Sequence, residues 1–265
     1  MNQPLIFNPH IARSKPNNHD ACPFCDISHL EKIIDQKDNM IWLDNKYPVL
    51  EGVYQTLIIE SDKHLGDIAT YSQNHNRKLF AFALKAWQEL ENSGRFKSVG
   101  LFKNFGPLSG GSLRHPHMQV IGFENLDAYA DIKPENFDGY LICQQTASRA
   151  KVTLSKQPLS TFSEFNVSIS HLDALDHLAD MVQALVQYVM SLYSSGRCSS
   201  YNLFFYRYGE TIICKIVPRF VASPYLIGYR LTQVSHRDRR EEEIAELRQF
   251  LNEQQSKKRE WDKDR

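Results

Sequence analysis

The stretch NFGPLSGGSLRHPHMQVIGF (104–123) constrains this chain most, because a glycine-rich turn there runs into a short strand carrying two histidines and a glutamine. In an extended chain successive side chains alternate between faces. His115, His117 and Gln119 therefore point one way, and Met118 and Val120 the other. Just ahead, Ser109, Gly110, Gly111 and Ser112 let backbone amides approach a bound anion, since glycine has no Cβ to block the approach and hydroxyls add donors. A phosphate beside an imidazole suggests phosphoryl or nucleotidyl transfer through histidine. Without the histidines the same glycines would read as an ordinary hairpin turn.

The flanking segments supply a sheet and its cover. MIWLDNKYPVL (40–50) and YQTLIIES (54–61) read as strands, the second running out into a polar turn at His64. From about Ser72 to Asn92, Leu79, Phe82, Ala83, Ala86, Trp87 and Leu90 recur at helical spacing, and Gly94 ends the run. Residues 98–105 form the next strand, paired hairpin-like with the histidine strand. The second half repeats part of this order: a strand at 162–170, a helix over 174–193 with Leu175, Leu178, Val182, Leu185, Val189 and Leu192 inward, then strands at 201–208 and 211–217 across Gly209. Residues 1–21, rich in Asn, Pro and His, are expected to form an extended arm whose Arg13 and Lys15 are either phosphate contacts or solvated charges. A charged helix from about Arg237 carries a thin seam of Ile244, Leu247 and Leu251, and its end, QQSKKREWDKDR, is expected to fray.

Lysine plus arginine and aspartate plus glutamate both total 31, so no net field gathers nucleic acid or anionic lipid, and small partners are expected. No apolar run approaches the roughly 18 residues that span a bilayer, and MNQPLIFNPHIARSKP lacks a signal-peptide core, which predicts a cytoplasmic protein with no membrane partner. Of five cysteines only Cys22 and Cys25 are closely spaced. That gap lets two thiolates grip one zinc ion, but it is half of a four-ligand site, and two ordinary thiols are an equal reading. Cys143, Cys198 and Cys214 read as core residues.

NFGPLSGGSLRHPHMQ resembles the active-site segment of the galactose-1-phosphate uridylyltransferases and their relatives in the histidine triad (HIT) superfamily, which share an HPHxQ core preceded by an asparagine, a glycine and a serine. GPLSGGS also looks like the loop of the diadenosine tetraphosphate phosphorylases. CPFC, NKYP at Asn45 to Pro48 and SDKH ending at His64 are further family-like marks in the right order, so the resemblance covers 22–123 well and the second half weakly. It implies an α+β fold of two fused HIT-like repeats, each an antiparallel sheet covered by a helix, divided as 1–130 and 131–265. It implies a closed zinc set of Cys22, Cys25, His64 and His115, and makes His117 the nucleophile that attacks the α-phosphorus of a nucleotide. Gln119 would then stabilise the adduct, with Asn45, Asn104, Gly110, Gly111 and Ser112 holding nucleotide or phosphate. The implied reaction is transfer of a nucleotidyl group from a nucleoside diphosphate sugar to a sugar 1-phosphate, with a homodimer admitted. Phosphorolysis or hydrolysis of a dinucleoside polyphosphate or nucleotide sugar, and nucleotide binding without turnover, are the alternatives.

The second half departs from that pattern. In IICKIVP (212–218), Ile213 and Lys215 stand where the transferases carry a further histidine pair, so a second metal site is not expected. In SPYLIGYR (223–230), Arg230 replaces a sugar-binding glutamate; a guanidinium cannot accept hydrogen bonds from hydroxyls, which points to a more anionic acceptor than galactose.

Overall fold

The histidine run forms strand β5 (His117–Phe123), the fourth strand from the edge of its half in a computed structural model that describes residues 4–15, 21–111, 113–145, 150–220 and 231–263. Around it the first half contributes β1 (Ile33–Lys37), β2 (Met40–Asp44), β3 (Val53–Ile59) and β4 (Ser98–Phe105). The second half contributes β6 (Gly139–Gln145), β7 (Ala150–Ser155), β8 (Phe165–Ile169), β9 (Tyr201–Tyr208) and β10 (Thr211–Pro218). The strands join into one ten-stranded antiparallel sheet in the order β1-β2-β3-β5-β4-β9-β10-β8-β7-β6. That order reads alike from either edge. Two copies of one five-strand pattern meet at β4 and β9, and the fold is α+β.

Helices α2 (Gln73–Asn92) and α3 (Leu175–Ser191) pack on one face of the sheet. Ser72 caps α2, its hydroxyl accepting from the His75 amide at 3.2 Å, and the six predicted apolar positions of the helix are all buried. In α3, Leu178, Val182, Leu185 and Val189 are fully buried, but Leu192 falls past the helix end and is 50% exposed. A kinked turn, α4 (Tyr193–Gly196), leads to β9, and α5 (Arg237–Lys263) lays Leu247 and Leu251 against α3 and β6. The end of α5 stays helical to Lys263 where fraying was expected. The N-terminal arm is also more ordered than expected: Asn8 caps a short helix, α1 (Pro9–Arg13), and Phe7 bridges to Leu50.

Three strands escaped the sequence reading. In β1, IIDQK is exposed along most of its length and shows no alternation, as befits an edge strand. The other two, β6 and β7, occupy the stretch between the halves. Conversely, 40–50 is strand only to Asp44, because Asn45 turns the chain by accepting from the Tyr47 amide at 2.9 Å.

The other face of the sheet differs between halves. In the second half residues 134–137 lie across it, Phe137 packing on Tyr206 at 4.9 Å and the Asn136 carbonyl accepting from Lys215 Nζ at 3.0 Å. Lys215 pairs with Glu164 at 3.0 Å and both side chains are fully buried. In the first half the segment around Phe24 covers part of the corresponding face, packing on Ile41, Leu43, Leu57 and Ile59, and leaves the rest as a cleft.

Candidate functional site

The 22–25 turn is closed by the Cys25 amide donating to the Cys22 carbonyl at 3.2 Å, which turns both thiols the same way. Cys22 Sγ and Cys25 Sγ each lie 3.6 Å from His115 Nδ1, and Cys25 Sγ lies 3.4 Å from His64 Nδ1. All four ligand atoms fall within 4.8 Å of one another. Zinc bonds of about 2.3 Å to sulfur and about 2.1 Å to nitrogen would put the edges of a tetrahedron at about 3.6 Å, so the donor set fits that ion in type, number and spacing. His115 Nε2 donates to the Ser61 carbonyl at 2.8 Å. A carbonyl only accepts, so this bond fixes the tautomer and leaves Nδ1 with its lone pair toward the thiols. Burial holds the His115 pKa below its usual value, which keeps the ring a neutral ligand.

Two residues on, His117 opens β5. Its Nδ1–H donates to the His115 carbonyl at 2.9 Å, so the lone pair of the neutral ring lies on Nε2. Burial lowers its pKa, against the pull of that carbonyl. Phe24, between the two cysteines, sets its ring edge-on to both His115, at 5.7 Å, and His117, at 5.6 Å. The proposed metal loop and the proposed nucleophile therefore share one aromatic wedge. Although His115 lies just before the strand, the spacing still brings both rings to the same side.

His117 and Gln119 line this cleft of about 800 Å³. Its apolar wall includes Leu43, Leu57, Phe102 and Ile121, and Asn45, Asn104, Gly110 and Gly111 border it, with Lys15 nearby. Apolar walls with a few convergent polar groups suit a nucleotide-sized ligand. Gly110 has φ +84° and nothing within 4 Å of where a Cβ would stand, whereas the Gly111 amide already donates to Ser109 Oγ at 3.3 Å. Ser112 and the 223–230 segment with Arg230 lie outside the described residues. Of the residues singled out in the sequence, four thus come together as a thiol and imidazole cluster and six line the cleft.

Two groups had no sequence signal. Beneath the strand, on the helix side, Lys103 pairs with Glu60 in full burial, with Asp67 at 4.0 Å and Tyr201 donating to Asp67. Across the seam, Asn202 and Ser200 of the second half reach the glycine-rich loop. Their partners are 92 to 98 residues away in the chain, beyond any local pattern.

The N-terminal domain of DUF4931, a family described as a domain of unknown function, matches residues 7–126, and its C-terminal domain matches residues 129–250. The chain belongs to the DUF4931 family. A DUF4931 family protein from Bacillus cereus ATCC 10987, 40% identical, superposes with a TM-score of 0.75 over 83% of this chain and 99% of that one. More distant folds include a uridylyltransferase, 15% identical with a TM-score of 0.66 over 91% and 94% of the two chains. Another is an ADP-glucose phosphorylase from Arabidopsis thaliana with bound ADP-glucose, 14% identical with a TM-score of 0.61 over 91% and 93%. These neighbours are HIT superfamily members, so this DUF4931 chain shares the HIT fold that its HPHMQ segment implied. No curated protein matches the sequence. Among the described residues no helix is long and apolar enough to cross a membrane.

Proposed function

We propose that this DUF4931 protein is a nucleotidyltransferase that works through a nucleotidyl-histidine at His117, taking its nucleotide from a nucleoside diphosphate sugar and passing it to a sugar 1-phosphate-type acceptor. The observation that carries this reading is the tether of His117 Nδ1 to the His115 carbonyl, which reserves Nε2 for attack within a cleft bordered by Gln119, Asn104 and Gly110. In the first step Nε2 attacks the α-phosphorus, the bond from that phosphorus to the bridging oxygen breaks, and sugar 1-phosphate leaves. The adduct's imidazolium charge is met by the His115 carbonyl dipole. In the second step a phosphate oxygen of the acceptor attacks, the P–N bond breaks and His117 returns to its neutral form. An anionic acceptor needs no base to ionise it, so His117 serves as the nucleophile of the first half-reaction and the leaving group of the second.

Cys22, Cys25, His64 and His115 would hold zinc as a closed four-ligand site, which supplies rigidity and no chemistry. By fixing His115 and Phe24, that site orients His117. We read the division of labour as residues 1–130 carrying the metal and nucleophile, and 131–265 as a degenerate repeat. A phosphorylase, in which inorganic phosphate replaces the sugar phosphate, is the second reading, favoured by the resemblance of the GPLSGGS loop to that branch.

The test is to incubate the protein with α-³²P-labelled UDP-glucose and ADP-glucose and denature it in alkali, which spares phosphoramidate bonds. Label on the wild type and none on His117→Asn with unchanged metal content is expected, and label release by glucose 1-phosphate or by phosphate separates transferase from phosphorylase. A wild type that binds nucleotide but never takes label would instead make it a binding protein.

A further inference from the structure

The glycine-rich loop of the first half is gripped by the second half. Ser200 Oγ accepts from the Leu108 amide at 3.1 Å, and Arg219 Nε donates to the Leu108 carbonyl at 3.1 Å. Gly106, at φ +86°, lies so close that a Cβ there would stand 2.4 Å from the Ser199 carbonyl. The deepest tie is Asn202, 4% exposed on β9 and directly paired with Asn104 on β4. Its Nδ2 is 2.9 Å from the Ser109 carbonyl and 2.6 Å from the side chain of Asn104.

These two contacts settle an orientation. The Ser109 carbonyl can only accept, so the atom of Asn202 facing it is the NH₂ group. The same nitrogen then requires an acceptor on Asn104, which must turn its Oδ1 to the seam and leave its own NH₂ for the cleft it borders. A reversed Asn104 amide would offer the cleft an acceptor, which repels phosphate oxygens. We infer that Asn202 is a positioning residue: from the second half it sets the polarity of Asn104, so that the cleft meets its ligand with an N–H donor suited to a phosphate group. This rests on the reading of the cleft as a nucleotide site, and it gives the degenerate half a part in ligand recognition.

The test is Asn202→Asp, whose carboxylate cannot donate to Ser109 and draws the Asn104 NH₂ to itself. Binding of UDP, ADP, uridine and adenosine is followed by NMR titration of the wild type and the variant. The expected result is a diphosphate affinity weakened by about tenfold or more, the loss of one hydrogen bond to a charged group, with nucleoside affinity within about threefold, because apolar contacts to the base are untouched. A folded variant whose diphosphate affinity is unchanged, or whose diphosphate and nucleoside affinities fall together, overturns the inference. Should the aspartate variant fail to fold, Asn202→Ser, which loses the bond to Asn104 without adding charge, must show the same selective loss. If the wild type binds none of the four, the nucleotide reading fails and the inference is decided by a neutron crystal structure of the folded variant, in which the nitrogen and oxygen of Asn104 are told apart. There an Asn104 amide turned toward residue 202 supports it, and an unturned one overturns it.

Discussion

At Asp67 a carboxylate is enclosed with Tyr201 donating to it and the Lys103 ammonium 4.0 Å away, and burial pushes its pKa up to about 6. An unfolded aspartate titrates near about 3.9. Between the two values the folded chain holds a proton that the unfolded chain lacks, so the contribution of Asp67 to stability is full below about pH 4 and is lost as pH rises through about 6. Asp67→Asn keeps an oxygen to accept from Tyr201 and removes the titration. Urea unfolding across that range should show wild-type stability declining relative to the variant as pH rises, and a constant difference would sink the assignment. Gly106 and Gly110 make a second contrast, since both have positive φ but only Gly106 is hemmed in by Ser199 and Ser200. Gly106→Ala should cost about 2–4 kcal/mol, combining left-handed strain with a backbone clash, and Gly110→Ala about 1 kcal/mol from strain alone. Equal urea midpoints for the two variants would contradict this.

Among the elements, the 22–25 turn is the one that meets two histidines with a pair of thiols. Two thiols and two imidazoles converge there, and desolvation and the neighbouring Cys22 push the Cys25 thiol up, a penalty that a dication binding the thiolates reverses. The protein should contain one zinc per chain by mass spectrometry. Cys25→Ser, or stripping with a strong chelator, should lower Tm by about 10 °C, the equivalent of roughly 3 kcal/mol for a chain of this size. Retention of full Tm with no metal would remove the metal from the account. Because Phe24 touches both histidines, the same treatment should also slow labelling of His117. The elements bearing these groups were legible because each carries a local signal: the alternation in β5, the helical stripe of α2, the two-residue gap between the thiols. The edge strand β1 was not, since an exposed strand has no buried face to impose alternation.

For the molecule as a whole, one continuous sheet makes the halves interdependent, and polar ties from α3 to α2 and to the loop ahead of it add to it. Asn76 Nδ2 donates to the Ala179 carbonyl at 2.8 Å, and Gln183 Nε2 to the Ile68 and Tyr71 carbonyls at 2.8 Å each. The second half's face is closed by its own chain around Lys215 and Glu164, whose carboxylate also accepts from the Leu159, Ser160 and Thr161 amides. Lys215→Met would leave that carboxylate buried without its cation and should cost about 3–5 kcal/mol in urea unfolding while the first-half cleft keeps its ligand affinity; a neutral substitution would show that the pair is not needed to close that face. The sequence alone determined the repeat of strand and helix, the side of β5 on which His115, His117 and Gln119 fall, and the residue types able to hold a metal, because periodicity and short spacings are local properties of a chain. Which half of the sheet keeps a cleft, which way the Asn104 amide points, and that Asn202 and Ser200 meet the glycine-rich loop were decided only by the tertiary structure, because these depend on side chains about a hundred residues apart being brought within a single hydrogen bond of each other.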